Sequence, residues 1–306
     1  NDCIRWDRVM DTFGNLGNIH RVEWLRDQAF ANLEGHTKYC QSGKVRKLLG
    51  RSSKVEKGVK EGVITKVMYL SPSKESGFNT CKFAGNCAYA CLGHSAGRMV
   101  YNSSKTSRIL KTWLLYTDPE FFFKQLIREL INHAKNVSRY DDKIAAVRLD
   151  GCSDIGFHQF IDMDQFVEWV RDVFKVEFQF YEYTKKPFVH YRTLNHPYGI
   201  PKSLDVTFSI DEKRSSIKFA KRWLKEGYKA TIVVRGKPGS LKSAKAIQDR
   251  LIEDGTIELD GDVYKAVNHD LTDIRFFDPV GSVGILHAKG KLALNDNSGF
   301  VRVFKY

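Results

Sequence analysis

V-M-Y-L-S-P-S-K-E-S-G-F-N-T-C-K-F-A-G-N-C-A-Y-A-C-L-G-H-S-A-G-R-M-V-Y-N-S-S-K-T-S-R-I-L-K, residues 67–111, is the stretch around which the chain is arranged. Residues 67–70 read as a short buried strand. Residues 71–80, polar and carrying Pro72 and Gly77, read as the loop that follows it. Cys81, Cys87 and Cys91 then arrive in the spacing C-x5-C-x3-C. With residues 88–90 helical, the sulfurs of Cys87 and Cys91 project from one face, and Cys81 folds back towards them from the loop. Three thiols gathered at the end of a strand suit a metal or an iron–sulfur site.

Free cysteines also serve as small core residues. Three of the six here, however, share one short loop with Lys82, Asn86 and His94, poor surroundings for buried hydrophobes. Three clustered thiols cannot all pair with one another, and six cysteines unevenly spread over 306 residues fit a reducing cytoplasm. The spacing is not the pair of C-x2-C knuckles of a zinc ribbon, whereas a 4Fe-4S cluster takes thiolates at varied spacings. The expected metal ligands are Cys81, Cys87 and Cys91. The expected centre is a 4Fe-4S cluster, with zinc as the alternative.

A hydrophobic fraction of 42% with 12% aromatic residues is globular rather than disordered. No apolar run is long enough to cross a bilayer and no leader is evident, so the expectation is a cytoplasmic protein with no membrane partner. The formal net charge of +13 draws polyanions, which makes nucleic acid the expected partner.

Residues 1–62 read as a helical and basic extension, with helical apolar spacing over 21–33. Residues 44–66 are the most basic part; Gly50, Gly58 and Gly62 argue against a long helix there, so a mobile or hairpin-like arm is expected. Its Lys44, Arg46, Lys47 and Arg51 are candidate phosphate contacts. A helix over 103–116 adds Lys105, Arg108 and Lys111 as one basic stripe at i, i+3 and i+6. Asp118 and Pro119 open the next helix, over 121–134.

From there strands and helices alternate. Strands are expected over 144–149, 176–183, 205–210, 230–234 and 274–277, and helices over 165–174, 216–226 and 243–253. Strand, polar loop and helix in repetition mean parallel strands joined by right-handed crossovers. Residues 63–306 are therefore expected to form an α/β domain, a partial (β/α) barrel of about six parallel strands. In such folds the chemistry sits at the carboxyl ends of the strands.

Those ends carry D-G-C-S-D, Y-T-K-K-P, S-I-D-E, R-G-K-P-G and D-P-V-G as well as the cysteines. Asp150 and Asp154, candidate catalytic groups, suit accepting hydrogen bonds or ligating a cation and equally suit turn capping. Tyr183 and Lys185 are further candidate catalytic groups. Cys152 reads as a fourth ligand or a structural thiol, the structural role being favoured. Ser209 and Asp211 are placed to hold ribose hydroxyls, and Arg235 lies in a cationic turn fit for a phosphate or carboxylate. His269, His287 and Lys289 read as structural.

Y-L-S-P-S-K-E-S-G-F-N-T-C, V-R-L-D-G-C-S-D-I, F-Y-E-Y-T-K, and the late F-F-D-P-V-G, A-K-G-K and S-G-F-V together resemble the gene product 88-like family of bacteriophage proteins. That resemblance implies a phage origin, and with it the cytoplasm of the infected host cell, and, by itself, no activity. More distantly, a cysteine trio after the first strand of a partial barrel resembles the radical S-adenosylmethionine superfamily, whose usual spacing is C-x3-C-x2-C. That likeness implies S-adenosylmethionine at an open iron, with Gly151 and Ser153 in the place of a glycine-rich contact and Ser209 and Asp211 near the ribose.

The leading expectation is an iron–sulfur enzyme of radical type acting on nucleic acid or a nucleotide. The alternatives are a non-catalytic, zinc-stabilised nucleic-acid-binding protein and a magnesium-dependent nuclease built on Asp150, Asp154 and Asp211.

Overall fold

A computed structural model describes residues 47–95, 97–193 and 199–304. The expected helix over 21–33 and the candidate phosphate contacts Lys44 and Arg46 lie outside the described residues. The frame is a mixed α/β fold on a ten-stranded, mostly parallel sheet that stays open rather than closing into a barrel. The strands are β1 (Leu49–Gly50), β2 (Val63–Met68), β3 (Ile144–Arg148), β4 (Phe178–Thr184), β5 (Leu204–Ser209), β6 (Lys229–Arg235), β7 (Thr256–Leu259), β8 (Asp262–Asn268), β9 (Val283–His287) and β10 (Arg302–Val303). The spatial order is β1-β2-β3-β4-β5-β6-β9-β8-β7, with β10 also on β6.

Five long helices connect them: α1 (Asn102–Thr117), α2 (Pro119–Val137), α3 (Met163–Phe174), α4 (Arg214–Lys225) and α5 (Leu241–Glu253). Their starts are written in the sequence. The Asp118, Asp162 and Ser240 side chains accept from the amides of Phe121, Gln165 and Ser243, and Pro119 occupies the first turn of α2.

From β2 to β6 each parallel strand pairs with the next in sequence. A right-handed crossover repeated in one direction lands every helix on the same face of the sheet. That face holds the main core, in which Val147, Phe180, Val206, Phe208, Ile232 and Ile285 pack against Phe122, Leu126, Phe166 and Trp223. Burying each such side chain contributes about 1.5–3 kcal/mol.

The order reverses once, because β9 inserts between β6 and β8 and pairs parallel to both. A right-handed connection running the other way must cross the opposite face, and residues 269–282 do so. Their Ile274 packs with Val63, Ala146 and Tyr181, the side chains that β2, β3 and β4 turn away from the helices. Residues 274–277, expected as the last strand, therefore form part of this cover, and the strand that completes the parallel set is β9. The apolar run I-R-F-F is held as a turn because Asp273 and Arg275 make ionic contacts on the inner face.

The basic segment is hairpin-like where it is described. β1 pairs antiparallel with the end of β2, and the amides of Leu48 and Leu49 donate to the Glu129 carboxylate at 2.7 and 2.8 Å. Among the described residues no helix is long and apolar enough to cross a membrane.

Candidate metal centre

The loop after β2 leaves the sheet at its carboxyl edge and crosses the mouth to the far side. Cys87–Ala90 and Leu92–Ser95 form two short helical turns, and Ala90 and Cys87 pack with Ala288, Ala293, Phe300 and Val301. The crossing seats the loop's three thiols over the strand ends. Cys81 Sγ lies 3.3 Å from the Ser73 amide and 3.5 Å from the carbonyl oxygen of Cys152. Cys91 Sγ accepts from the Gly93 amide at 3.4 Å. Hydrogen bonds from backbone amides of this kind fix a sulfur and favour its ionised form.

Cys152 comes to the same place from the β3 loop. A Cβ built on Gly93 would stand 3.4 Å from Cys91 Sγ and 3.5 Å from Cys152 Sγ, so both sulfurs border one point. Burial comes first among the influences on these groups: it pushes the Cys81 and Cys152 thiols up to about 12 and raises those of Cys87 and Cys91. The thiols also raise one another, Cys91 feeling Cys152 and Cys87, and Cys81 feeling Cys91. Three cations oppose this: Arg108 acts on Cys91 and Cys152, Arg148 on Cys152, and Lys185 on Cys87. Among the described residues no group of three or more His, Cys, Asp or Glu side chains could hold a metal ion as the side chains stand.

The turn carrying Cys152 is fixed from several sides. Asp150 is buried, and its carboxylate accepts from the Ser153 hydroxyl, the Ile155 amide at 3.1 Å and the Gly156 amide at 2.8 Å. Gly151 presses on the end of β2, where a Cβ would meet Met68 O at 2.6 Å and Tyr69 Cδ1 at 2.7 Å. The Asp154 amide donates to Thr80 O at 3.0 Å, tying this turn to the residue before Cys81.

These contacts assign most of the other candidates to holding the rim together. Asp154 receives the Thr184 hydroxyl at 2.8 Å, the Lys185 amide at 3.0 Å and the Lys186 ammonium at 2.8 Å. Asp211 receives the Lys213 amide at 3.0 Å while its own amide donates to Ser216, which ties the end of β5 to the first turn of α4. Asp150, Asp154 and Asp211 thus stand in three separate hydrogen-bond sets. Ser153 donates to Asp150, and Gly151 answers a close approach of backbone. The Ser209 hydroxyl accepts from the Lys185 ammonium at 2.9 Å, which lies over the Phe300 ring. Arg235, offered as an anion contact, is buried and spends its guanidinium on the carbonyls of Asp296 at 2.6 Å and Gly236 at 3.1 Å.

Tyr183 points to the inner face, with the Arg148 guanidinium 4.5 Å from its ring centroid. Its buried hydroxyl has no hydrogen-bond partner among the described residues.

Two of the basic candidates are engaged within the fold. Arg108 is 3% exposed, donates to Gly93 O and Met99 O at 3.0 Å, and pairs with Glu75 at 3.4 Å. The loop after β2 lies across that side of α1, so the guanidinium serves the thiol loop rather than a phosphate. Lys111 donates to Leu48 O at 2.8 Å, and burial lowers its ammonium. Lys47, Arg51 and Lys105 are exposed. Arg148 and Glu75, which border Cys152, escaped the sequence reading. The only signal for Arg148 is a charge inside an otherwise apolar strand.

The late histidines are structural. His269 is fully buried between Thr231 and Asp278. His287 pairs with Asp270 at 2.7 Å, beside Lys289.

A family model described as gene product 88 matches residues 42–303. The chain belongs to this family of phage gene products. The match spans the thiol loop, the Cys152 turn and every strand of the sheet. Neither the curated proteins nor the solved structures hold a match to this gene product 88 chain, and the comparisons lend no support to the radical S-adenosylmethionine resemblance.

Proposed function

We propose that this gene product 88 protein is an iron–sulfur protein acting on nucleic acid, with a thiolate-bound 4Fe-4S centre on Cys81, Cys87 and Cys91 at the mouth of the sheet. The observation that carries the reading is the convergence of buried thiols over the strand ends, with Cys91 in electrostatic contact with the others. Buried thiols that raise one another are poorly ionised alone, and a multivalent centre reverses both penalties at once. The spacing C-x5-C-x3-C is not that of zinc-ribbon knuckles, whereas a cluster takes thiolates at varied spacings, which is the ground for preferring iron–sulfur to zinc. Arg108, Arg148 and Lys185 offset the negative charge that such a centre brings.

When bound, the cluster supplies one-electron chemistry. The chain's own contribution is to exclude water from the thiols and to fix Cys81 and Cys91 through backbone amides. The net charge of +13 and the exposed Lys47, Arg51 and Lys105 support a polyanionic partner.

Anaerobic purification followed by iron, zinc and acid-labile sulfide analysis tests the reading. The expected result is a brown protein with iron and sulfide in similar amounts, whose visible absorbance bleaches on reduction. A colourless chain without iron after anaerobic purification and reconstitution overturns it.

A further inference from the structure

We propose that the outer surface of the turns roofing the strand ends binds single-stranded nucleic acid, with Tyr89 and Tyr101 as stacking platforms for bases and Arg98, Lys105 and Lys291 as phosphate contacts. This rests on the nucleic-acid part of the reading above and is independent of any metal centre.

Four short turns make this surface: Cys87–Ala90, Leu92–Ser95 and Gly97–Val100 from the loop after β2, and Gly290–Leu294 from the segment after β9. Residues 290–294 touch both of the first two turns, and Gly97–Val100 touches Leu92–Ser95 and α1. The approach is close at Gly290, where a Cβ would meet the Ser95 carbonyl oxygen at 2.8 Å. From beneath, Ala90 packs with Ala288 and Ala293, and Arg108 donates to the carbonyls of Gly93 and Met99. The four turns are thus tied to one another and to the core below them.

On the outside, Tyr89 is 77% exposed and Tyr101 60%. A lone exposed tyrosine asks for no explanation; the charge pattern around these two does. Residues 76–117 and 279–295 hold no Asp or Glu, 59 residues in which the chain's 36 acids in 306 would place about seven. In the same segments Arg98, Lys105 and Lys291 are exposed, with no ion pair among the described residues. The carboxylates that border the turns are spent within the fold: Glu75 on Arg108, Glu212 on the Asn86 amide at 3.1 Å, and Asp270 on His287 and Lys289.

A surface cleared of anions and set with unpaired cations draws a polyanion, and exposed rings among those cations add a contact for unpaired bases. Lys105 follows Tyr101 by one turn of α1, its amide donating to the Tyr101 carbonyl at 3.0 Å, so ring and ammonium share one side of that helix. A duplex hides its base faces in its own stack, and turns of four or five residues offer no long helix or ribbon to a groove. For the same reason they cannot lay an amphipathic helix on a bilayer.

The test is fluorescence anisotropy on the full chain with a mixed-sequence single-stranded DNA of about 20 nucleotides, longer than a typical site for such a surface, and with its duplex. The wild type is expected to prefer the single strand. Tyr89→Ala and Tyr101→Ala should each weaken that binding at least about fivefold, while Tyr89→Phe and Tyr101→Phe retain it. Arg98→Gln, Lys105→Gln and Lys291→Gln together should lower its salt slope by about 2. A wild type that binds duplex as tightly as single strand overturns the inference without any variant and leaves the nucleic-acid reading standing, as do alanine variants that bind like the wild type. Tighter binding to phosphatidylglycerol vesicles than to either oligonucleotide, lost in the same variants, gives the surface to a membrane and overturns it too. A wild type that binds neither oligonucleotide removes the nucleic-acid reading together with this inference, whatever its iron content.

Discussion

Gly284→Ala should be among the most damaging methyl additions in the molecule. Gly284 lies on β9 facing the inner side of the sheet, and a Cβ there would stand 1.9 Å from both Cε1 and Nδ1 of His269. Carbon contacts are comfortable at about 3.5 Å, so the ring must retreat by about 1.5 Å. It cannot retreat freely. His269 is fully buried, with Nδ1 3.1 Å from the Thr231 hydroxyl and Nε2 3.2 Å from Asp278. Overpacking alone costs about 1–3 kcal/mol, and stranding the partners of a buried ring adds about 1–3 kcal/mol. The expected loss is about 2–6 kcal/mol, which for a chain of this size lowers the melting temperature by roughly 3–9 °C.

A double-mutant cycle in urea isolates the cause. His269→Ala removes the ring and opens room for the new methyl, so adding Gly284→Ala to it should cost little, with a coupling of at least about 2 kcal/mol. Gly50→Ala is the control. Its Cβ would meet only Val67 O, at an ordinary 3.7 Å, and its effect should be within about 0.5 kcal/mol. A Gly284→Ala protein as stable as the wild type, or two substitutions whose costs merely add, would refute the placement of His269 and with it the cover over the inner face.

Acid should destabilise the fold well above the carboxylate range. Burial holds the His133 and His269 imidazoles at about 4 against an ordinary 6.5. As pH falls the unfolded chain takes up these protons first, so the stability they contribute is complete above about 6.5 and lost down to about 4, up to about 3 kcal/mol per histidine. Urea unfolding at several pH values should show that slope, and His133→Asn should flatten it; an unchanged slope refutes the assignment. For nucleic acid, Lys47→Gln, Arg51→Gln and Lys105→Gln together should lower the salt slope of duplex binding by about 0.9 per lost contact. Arg108→Ala should leave that slope alone and instead cost about 3 kcal/mol by stranding the buried Glu75. The reverse pattern, measured by salt-dependent binding and urea unfolding, would sink the division between them.

The alternation behind β3 to β6 is legible because each buried run ends at a polar turn and each helix opens on a capping residue. The hairpin of β7 and β8 is equally well written and escaped notice. Asp260-Gly261 lies between alternating runs, and both residues adopt positive φ, 50° and 83°, as a tight hairpin turn requires. Residues 274–277 mislead for a different reason: apolar composition does not reveal that Asp273 and Arg275 are ion-paired on the inner face. Helical spacing rightly put Arg108 on one side of α1 with Lys105, but it could not show that the thiol loop covers only part of that side. The three close-set cysteines are visible as a group, whereas Cys152 joins them only through the pairing of β2 with β3, which no local spacing encodes.

One guanidinium links the inner face to the thiols. Arg148 sits at the end of β3, pairs with Asp273 at 3.2 Å, lies over Tyr183, and donates to the two carbonyls that precede Cys152. Burial alone would raise the Asp273 carboxyl, but Lys54, Arg148 and Arg275 overcome it and hold the group well below the usual carboxylate range. The carboxylate therefore stays charged and keeps its grip on Arg148. Since Asp273 belongs to the β8–β9 connection, the single reversal of strand order does two things. It covers the face that the helices leave bare, and it delivers the anion that holds Arg148 under the Cys152 turn. The sheet topology, and not the thiol loop alone, thus sets where Cys152 stands.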